Sequence, residues 1–215
     1  MRRAKHKLLA GAALVLMVGL ARGQEVLDRI VARVETDIIL LSEVRALERY
    51  QLFVDGKSET DEQVLDRLID QWIVRNEAKA ALFAQPSDND VKRSLERLKR
   101  SFSSAEEYEE RRKQSGLTDD DIERMTRALL YLSSYLDSRF RASIQIADKD
   151  IEEFYKTRII PRAESRDQTP PTLDAARGFI QEALVQRAIN EQSDRWLKES
   201  RARLRVENLL NEKPK

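Results

Sequence analysis

Two groups of neighbouring carboxylates have the residue types and spacing that acid–base chemistry requires. Glu106 lies beside Glu107, and Asp119–Asp121 form an unbroken acidic run. A pair of carboxylates can supply a general acid and a general base. Both groups, however, fall at predicted helix starts, where negative charge stabilises the N-terminal end of the helix dipole. We therefore interpret them as helix-capping residues rather than as catalytic ones.

Other catalytic side chains are scarce. The chain has no cysteine, and His6 is its single histidine. If the first residues are removed, a thiol nucleophile, a histidine-assisted triad, a disulfide and a Cys/His zinc site are all excluded. A glycine-rich phosphate loop is absent as well. We predict a protein that is not an enzyme, with no catalytic residue, no cofactor and no metal. An enzyme of unrecognised class that uses Asp, Glu and Lys alone remains an alternative.

The first 23 residues have the three parts of a secretory signal peptide. A basic start precedes the uncharged apolar run Leu8–Leu20, and Ala21 and Gly23 are small residues suited to a cleavage site. We predict export to the periplasm with cleavage after Gly23. An uncleaved membrane anchor is the alternative reading, but the apolar run is shorter than the roughly 20 residues that a membrane span needs.

Removal of residues 1–23 changes the charge of the protein. This segment holds five basic side chains and no acidic one, so its loss takes the net charge from +1 to −4. A mildly acidic protein is poorly suited to bind nucleic acid, which requires a basic surface. The arginine-rich stretches 93–100 and 201–205 are therefore interpreted as solvated helix faces.

The elements that follow are predicted to be mainly α-helical, with extended segments at both ends. Residues 26–34 alternate as a strand does, 35–37 form a turn and 38–40 resume an extended run, which together predict a small β-hairpin. Ser42 is the predicted cap of a helix to about Val54. A short strand is predicted around Leu204 and Val206, and it could pair with the first extended segment.

Capping residues divide the middle of the chain into helices. The predicted helix starts are Thr60, Ser87, Ser104, Thr118, Asp148 and Thr172. The second of the chain's helices is predicted to run to about Ala84, and Pro161 is predicted to end the helical region that begins at Asp148. The helix after Thr118 has apolar residues at steps of three and four, which indicates a core-facing stripe.

The same long helix carries apolar residues away from its stripe. At about 100° per residue, Leu130 lies to one side, and Tyr131 and Tyr135 lie towards the opposite flank. Two readings stay open for such residues. They are either ordinary packing residues or part of an apolar groove for another protein.

The order of these segments resembles a known family. The chain contains "VLDRIVARVETDIILLSEVRALE", then "VLDRLIDQWIVRNEAKA", "SDNDVKRSLERLKRSF" and "IQIADKDIEEFYKTR". It ends with "IQEALVQRAINEQSDRWLKESRARLRVEN". In apolar spacing and element order the chain is similar to the N-terminal domain of the SurA family of periplasmic chaperones, which is related in plan to trigger factor. The resemblance implies a helical domain that the final helix and strand complete.

The resemblance also implies a division of the chain. Residues 1–23 are the signal peptide, and 24–158 are the N-terminal chaperone segment. Residues 159–172 are a linker at the point where the family carries a parvulin prolyl-isomerase domain, and 173–215 hold the helix and strand that pack on the same domain. The interval at 159–172 is too short for a folded domain, so we predict no isomerase activity.

A chaperone that works by binding alone is therefore the expected function. The resemblance implies unfolded polypeptide clients, among them outer-membrane protein precursors, and contact with an outer-membrane assembly machine. No nucleic acid and no small-molecule substrate is expected. A membrane-tethered assembly factor or scaffold with the same helical domain is the alternative. The candidate client-binding residues are Trp72, Leu130, Tyr131, Tyr135, Phe140 and Trp196.

Overall fold

The computed structural model describes residues 28–212, so the predicted signal peptide and residues 26 and 27 of the first predicted strand lie outside it. The strands are Ile30–Val34 (β1), Asp37–Leu40 (β2) and Val206–Asn208 (β3). The first helices are Leu41–Asp55 (α1), Asp61–Ala80 (α2), Asp88–Arg100 (α3), Ala105–Ser115 (α4) and Asp119–Phe140 (α5). They are followed by Asp148–Phe154 (α6), Ile160–Glu164 (α7) and Leu173–Arg201 (α8). The mainly α fold is confirmed.

A small antiparallel sheet joins the two ends of the described chain. The strand order is β2-β1-β3, so β1 pairs with its hairpin partner on one side and with the distant β3 on the other. In the second pairing Val34 lies opposite Val206 and Ala32 lies opposite Asn208. The hairpin is confirmed, and so is the prediction that the two extended ends pair with each other.

The sheet rests on the first two long helices. Its inner face and the facing sides of α1 and α2 form one buried cluster, which includes Val31, Val34, Val44, Leu65, Ile69 and Leu210. A second cluster joins α1 to α4 and α5 through Tyr50, Phe53, Tyr108 and Ile122. The helical part of the domain is therefore packed directly onto the sheet that the final strand completes.

Most predicted helix starts are confirmed. The side chains of Thr60, Ser87 and Thr118 accept hydrogen bonds from backbone N–H groups in the first turn of the helix that follows. In the opposite direction, the backbone N–H of each capping residue donates to the side chain three positions later, which is Gln63, Asp90 or Asp121. The negative charges of Asp90 and Asp121 also interact favourably with the positive end of the helix dipole. Ser104 and Thr172 cap α4 and α8 through their side chains.

The start of α1 and the end of α2 differ from the prediction. Helix α1 begins at Leu41, so Ser42 lies inside it rather than capping it. The Glu43 carboxylate accepts a hydrogen bond from the Leu40 N–H at 2.9 Å. The Asp28 carboxylate accepts one from the Ser42 N–H at 3.2 Å. These two hydrogen bonds replace the missing side-chain cap. Helix α2 ends at Ala80 rather than near Ala84, because Leu82 turns into the left-handed region with φ 52°.

The chain does not leave the helical conformation at Pro161, which corrects another prediction. A wide π-helical turn, Tyr155–Ile159, continues α6, and Pro161 lies at the start of α7. Proline is tolerated there because the first turn of a helix needs no N–H donor from it. The non-helical connection to α8 is therefore shorter than the predicted linker 159–172 and begins after Glu164.

The long helix α8 ties the end of the chain to the remaining helices. Its buried residues Ile180, Val185 and Ile189 face inward. At the end of α5, the Arg141 guanidinium bridges the carboxylates of Asp137, at 2.7 Å, and Glu182 of α8, at 2.8 Å. This ion pair network fixes α8 across the C-terminal end of α5.

Candidate functional site

An open apolar groove lies where α2, α3, α5 and α8 meet, and we call it the leucine groove. Its volume is about 570 Å³. The apolar residues that line it are Val74, Leu129, Leu130, Leu132, Leu136 and Leu197. Val74 and Leu132 are buried, and the other four leucines are half-buried. Leucine side chains that stay partly exposed at a concave surface are available to another molecule.

The helical period of α5 explains how the groove forms. Leu129, Ser133 and Leu136 follow one another at steps of four and three, so they lie on one side of the helix. Leu130 lies next to this row. On α3, Ser94 also borders the groove. The short serine side chains fill less space than a leucine would, which leaves the groove open between the helices.

Charged side chains border the leucine groove. Arg67 and Arg97 contribute two guanidinium groups, and Asp70 contributes a carboxylate. Arg67 pairs with Glu59, whereas among the described residues no carboxylate lies within 4.0 Å of the guanidinium nitrogens of Arg97. Arg97 is therefore free to pair with a bound molecule.

Burial raises the pKa of the Asp70 carboxyl. The Arg201 guanidinium, 3.7 Å away, opposes this effect, while the negative charges of Asp66 and Asp194 add to it. Arg201 also pairs with Asp66. This cluster joins α8 to α2 directly beside the groove, so it holds Leu197 in place against the α2 side.

The base of the groove contains one buried polar contact. The hydroxyl groups of Tyr50 and Thr126 lie 3.2 Å apart and form a hydrogen bond. Burial raises the pKa of the Tyr50 phenol, and this hydrogen bond lowers it in part. One hydroxyl donates and the other accepts, so each of these two buried groups has a hydrogen-bond partner within the protein.

The structure separates the candidate residues that the sequence places on α5. Leu130 lines the leucine groove. Tyr131 and Tyr135 lie on the opposite side, each only 5% exposed, and pack with Phe83, Val74 and Ala78. The tyrosine rings stand 5.8 Å and 5.5 Å from the Phe83 ring. In this structure the two tyrosines are packing residues, because α5 is covered on that flank by the end of α2.

Phe140 and Trp196 are brought together at the far end of α5. Their rings meet edge to face with centroids 6.0 Å apart, and both side chains are half-buried. The Arg139 guanidinium lies 4.7 Å from the Trp196 ring and 3.0 Å from the Tyr135 hydroxyl. The pair is therefore shielded by an arginine, and neither ring lines the leucine groove.

Trp72 lies apart from the other candidates. Its indole packs against the cluster under the sheet, and its N–H donates to the Asp37 carboxylate at 2.8 Å. This contact joins α2 to the tip of the hairpin. Trp72 thus holds the sheet in place and has no contact with the leucine groove.

Several residues of the groove are not among the sequence candidates. Leu129 and Leu136 belong to the predicted core stripe of α5, and Leu197 belongs to the apolar face of α8. The sequence shows that these side chains are apolar and share helix faces. It does not show which side of α5 the neighbouring helices leave uncovered, so these residues appear as ordinary core residues.

The acidic groups considered for catalysis are engaged at helix starts. The Asp121 carboxylate accepts from the N–H and hydroxyl of Thr118 at 3.0 Å and 2.7 Å, which lowers its pKa. Glu107 accepts from the Ser103 N–H at 2.8 Å, and hydrogen bonds from Ser103 lower its pKa as well. Their interpretation as capping residues is confirmed.

Comparison with known proteins adds no relative: no protein-family model and no curated protein matches the chain. Within residues 28–212, no group of three or more His, Cys, Asp or Glu side chains is placed to hold a metal ion. In the same part of the chain, no helix is both long enough and apolar enough to cross a membrane.

Proposed function

We propose that this protein is an ATP-independent chaperone of the periplasm, similar to the SurA family, which binds unfolded or partly folded exported proteins. The clients we propose are outer-membrane protein precursors. The observation that supports the proposal is the leucine groove, with four half-buried leucines in one concavity of a highly charged protein. The order of helices and the return of the final strand to β1 are consistent with the family resemblance.

The shape of the leucine groove fits transient binding of unfolded chains. An apolar surface that is open to solvent accepts many aliphatic or aromatic side chains, because the hydrophobic effect is not directional. Each client segment loses chain entropy when it is ordered, so the affinity of one site is low and release needs no nucleotide. Arg97 at the border adds a positive charge that can hold an acidic residue beside the apolar segment.

An aggregation-suppression assay tests the proposal. An unfolded outer-membrane β-barrel protein is diluted from urea with and without the purified chain, and light scattering is followed. We expect scattering to fall at a few-fold molar excess of the chain. Leu130→Ser, which places a hydroxyl in the groove, should weaken this protection several-fold and lower the melting temperature by only a few degrees.

Leu82 offers a matched control for the leucine replacement. It is 91% exposed and lies outside the groove, so Leu82→Ser makes the same chemical change elsewhere on the surface. Equal loss of protection in both variants would show that general surface hydrophobicity acts rather than the groove. Absence of protection by the unchanged chain at several-fold excess would refute the chaperone proposal.

Binding in this proposal includes no prolyl isomerisation. The connection from Glu164 to Leu173 has no room for a folded isomerase domain. We expect a proline-containing reporter peptide to isomerise at its uncatalysed rate in the presence of the chain. Acceleration by the purified chain that persists across independent preparations would refute this part.

Export and removal of residues 1–23 are tested separately. N-terminal sequencing of the protein from a periplasmic fraction should begin at Gln24. An intact N-terminus in the membrane fraction would instead support the tethered assembly factor.

A further inference from the structure

Helix α3 has an exposed face on which nearly all side chains are basic. Residues 92–100 contain five basic side chains and a single carboxylate, that of Glu96. All six of these charged side chains are exposed. At about 100° per residue they lie on one side of the helix, opposite Val91, Leu95 and Leu98. We call the surface that the basic residues form the α3 basic face: Lys92, Arg93, Arg97, Lys99 and Arg100.

The apolar side of α3 keeps the α3 basic face turned outward. Val91 is 1% exposed, and Leu95 and Leu98 pack against the buried cluster around Phe53 and Ile122. The helix therefore cannot rotate to cover its charges without exposing apolar surface. From residue 92 to residue 100 the face is about 12 Å long, at 1.5 Å of rise per residue.

Three charges of the α3 basic face have no ion-pair partner in the part of the chain that the structure describes. They belong to Lys92, Arg97 and Arg100, which have no carboxylate at ion-pair distance. Arg93 pairs with Asp90 in the first turn of the helix. The domain itself therefore leaves most of the positive charge of this face uncompensated.

The other arginine-rich stretch of the chain, residues 201–205, is used differently. Arg201 pairs with Asp66 of α2, and the Arg205 guanidinium lies 3.7 Å from the Glu35 carboxylate beside β1. These charges hold the end of the chain to the rest of the domain. The two stretches look alike in the sequence, and the fold assigns internal partners mainly to the second.

We propose that the α3 basic face docks on a membrane surface that contains anionic lipid headgroups. A small anion needs a concave site in which several donors converge, whereas an exposed, convex row of basic side chains fits an extended layer of negative charge. Clusters of roughly four to eight basic residues on an amphipathic helix are typical of proteins that bind anionic lipids. Because α3 keeps its apolar side inside the domain, the contact is electrostatic and reversible.

Docking through α3 brings the leucine groove close to the lipid surface. Ser94 and Arg97 of α3 also line that groove. Lys92 and Arg100 do not, so their replacement changes the α3 basic face and leaves the groove lining as it is. Lipid docking does not require the groove to hold a client, and it therefore does not rest on the proposed chaperone function.

Flotation with lipid vesicles tests the inference. The probe is a vesicle of equal parts phosphatidylglycerol and phosphatidylcholine, and phosphatidylcholine alone is the comparison. We expect the full chain to bind the anionic vesicles at least about fivefold more tightly. Lys92→Glu combined with Arg100→Glu should weaken this binding at least about tenfold, because each basic residue near an anionic surface contributes a factor of about five. Residues 1–23 are the same in every variant, so their own contribution is common to all measurements.

Salt and the one carboxylate of the face provide two further checks. At 1 M salt the screening length falls to about 3 Å, so the difference between the unchanged chain and the double variant should disappear. Glu96→Gln removes the single negative charge from the row and should strengthen binding to anionic vesicles a few-fold. A purely structural role of α3 would not produce this gain.

Matched variants make the result specific to α3. Lys149→Glu combined with Arg166→Glu makes the same change in net charge at exposed positions outside α3, and it should leave vesicle binding intact. Leu130→Ser should also leave it intact, which separates lipid docking from the leucine groove. Circular dichroism melting confirms that each variant is folded.

Three outcomes would overturn the inference. Equal loss of binding in both double variants would show an effect of net charge alone. Equal binding to anionic and phosphatidylcholine vesicles would show that headgroup charge is not recognised. Binding of a DNA duplex or of polyglutamate that depends on Lys92 and Arg100, without binding of vesicles, would assign the α3 basic face to an acidic macromolecule instead.

Discussion

Tyr135 is the residue at which a packing role is most clearly separated from a binding role. Its ring packs edge to face on Phe83 and is almost fully buried, so its removal leaves a cavity. We expect Tyr135→Ala to lower the free energy of unfolding by about 3 kcal/mol. Leu130→Ala should lower the free energy of unfolding by only about 1 kcal/mol, because the half-buried Leu130 side chain buries less apolar area.

Urea unfolding followed by circular dichroism measures both changes. A large loss of stability for Leu130→Ala, together with a small one for Tyr135→Ala, would contradict the packing seen here. The same comparison separates the two readings that the sequence leaves open. Helical spacing places both tyrosines on one flank of α5, but only the fold shows that α2 covers that flank.

Leu82 occupies a backbone conformation that favours glycine. It ends α2 with φ 52°, while the N–H groups of Leu82 and Phe83 donate to the carbonyls of Lys79 and Ala78. A side chain at such a position costs about 1 kcal/mol relative to glycine. We therefore expect Leu82→Gly to raise the thermal midpoint by a few degrees.

Ala81 provides the control for this change. It precedes Leu82 with φ −78°, a conformation that alanine adopts without strain. Glycine relieves no strain there, and it loses more conformational entropy than alanine when the chain folds. Ala81→Gly should lower the midpoint, and differential scanning calorimetry compares the two variants. A lower midpoint for Leu82→Gly would show that the leucine side chain stabilises this turn.

At the level of whole elements, the contact between α5 and α8 should depend on pH. Hydrogen bonds from Arg141 and Gln186 lower the pKa of the Glu182 carboxyl from 4.5 to about 2. A carboxyl whose pKa is lower in the folded state stabilises the fold above its unfolded pKa, and this contribution is lost as the pH falls towards the folded value. The stabilisation should therefore disappear between about pH 4.5 and pH 2.

Glu182→Gln removes this titration. We expect the variant to lose less stability than the unchanged chain over that acidic range, as measured by urea unfolding at several pH values. Glu164→Gln serves as the control, since Glu164 has no ion-pair partner among the described residues. Parallel curves for the unchanged chain and Glu182→Gln would contradict a role for this carboxylate.

Helix boundaries show where sequence patterns are sufficient and where they are not. The starts at Thr60, Ser87 and Thr118 are predictable because a capping box is a local interaction. The start of α1 is not, because the Asp28 carboxylate that meets the Ser42 N–H comes from before the hairpin. The passage through Pro161 depends on a π-helical turn, for which the sequence carries no comparable signal.

At the scale of the whole molecule, the final residues contribute to the main core. Leu210 is buried with Val31 and Ala32 beneath the sheet. We expect Leu210→Ala to lower the free energy of unfolding by about 2–3 kcal/mol, as for other buried leucines. Leu209→Ala, at a half-buried neighbour, should cost less, and chemical unfolding measures the difference. Equal costs would show that the last turn is not fixed against the sheet.

The fold class and the pairing of the chain ends are predictable because periodicity and turn residues act along the chain. The leucine groove is less predictable, since it depends on which side of α5 its neighbours leave uncovered. Leu130 is identified by its position away from the core stripe of α5. Leu129, Leu136 and Leu197 are not, because a core residue and a groove residue have the same helical spacing.

The pairing of β1 with β3 has a consequence for how the chain can be built. Arg33 and Glu207 form an ion pair across 174 positions of sequence, so the sheet closes a loop that contains nearly the whole domain. During synthesis this closure cannot form before β3 has left the ribosome, and long loops close slowly. Because β1 and β3 are adjacent in space, a circular permutant that links residue 212 to residue 28 and opens the exposed connection between α7 and α8 should retain the fold.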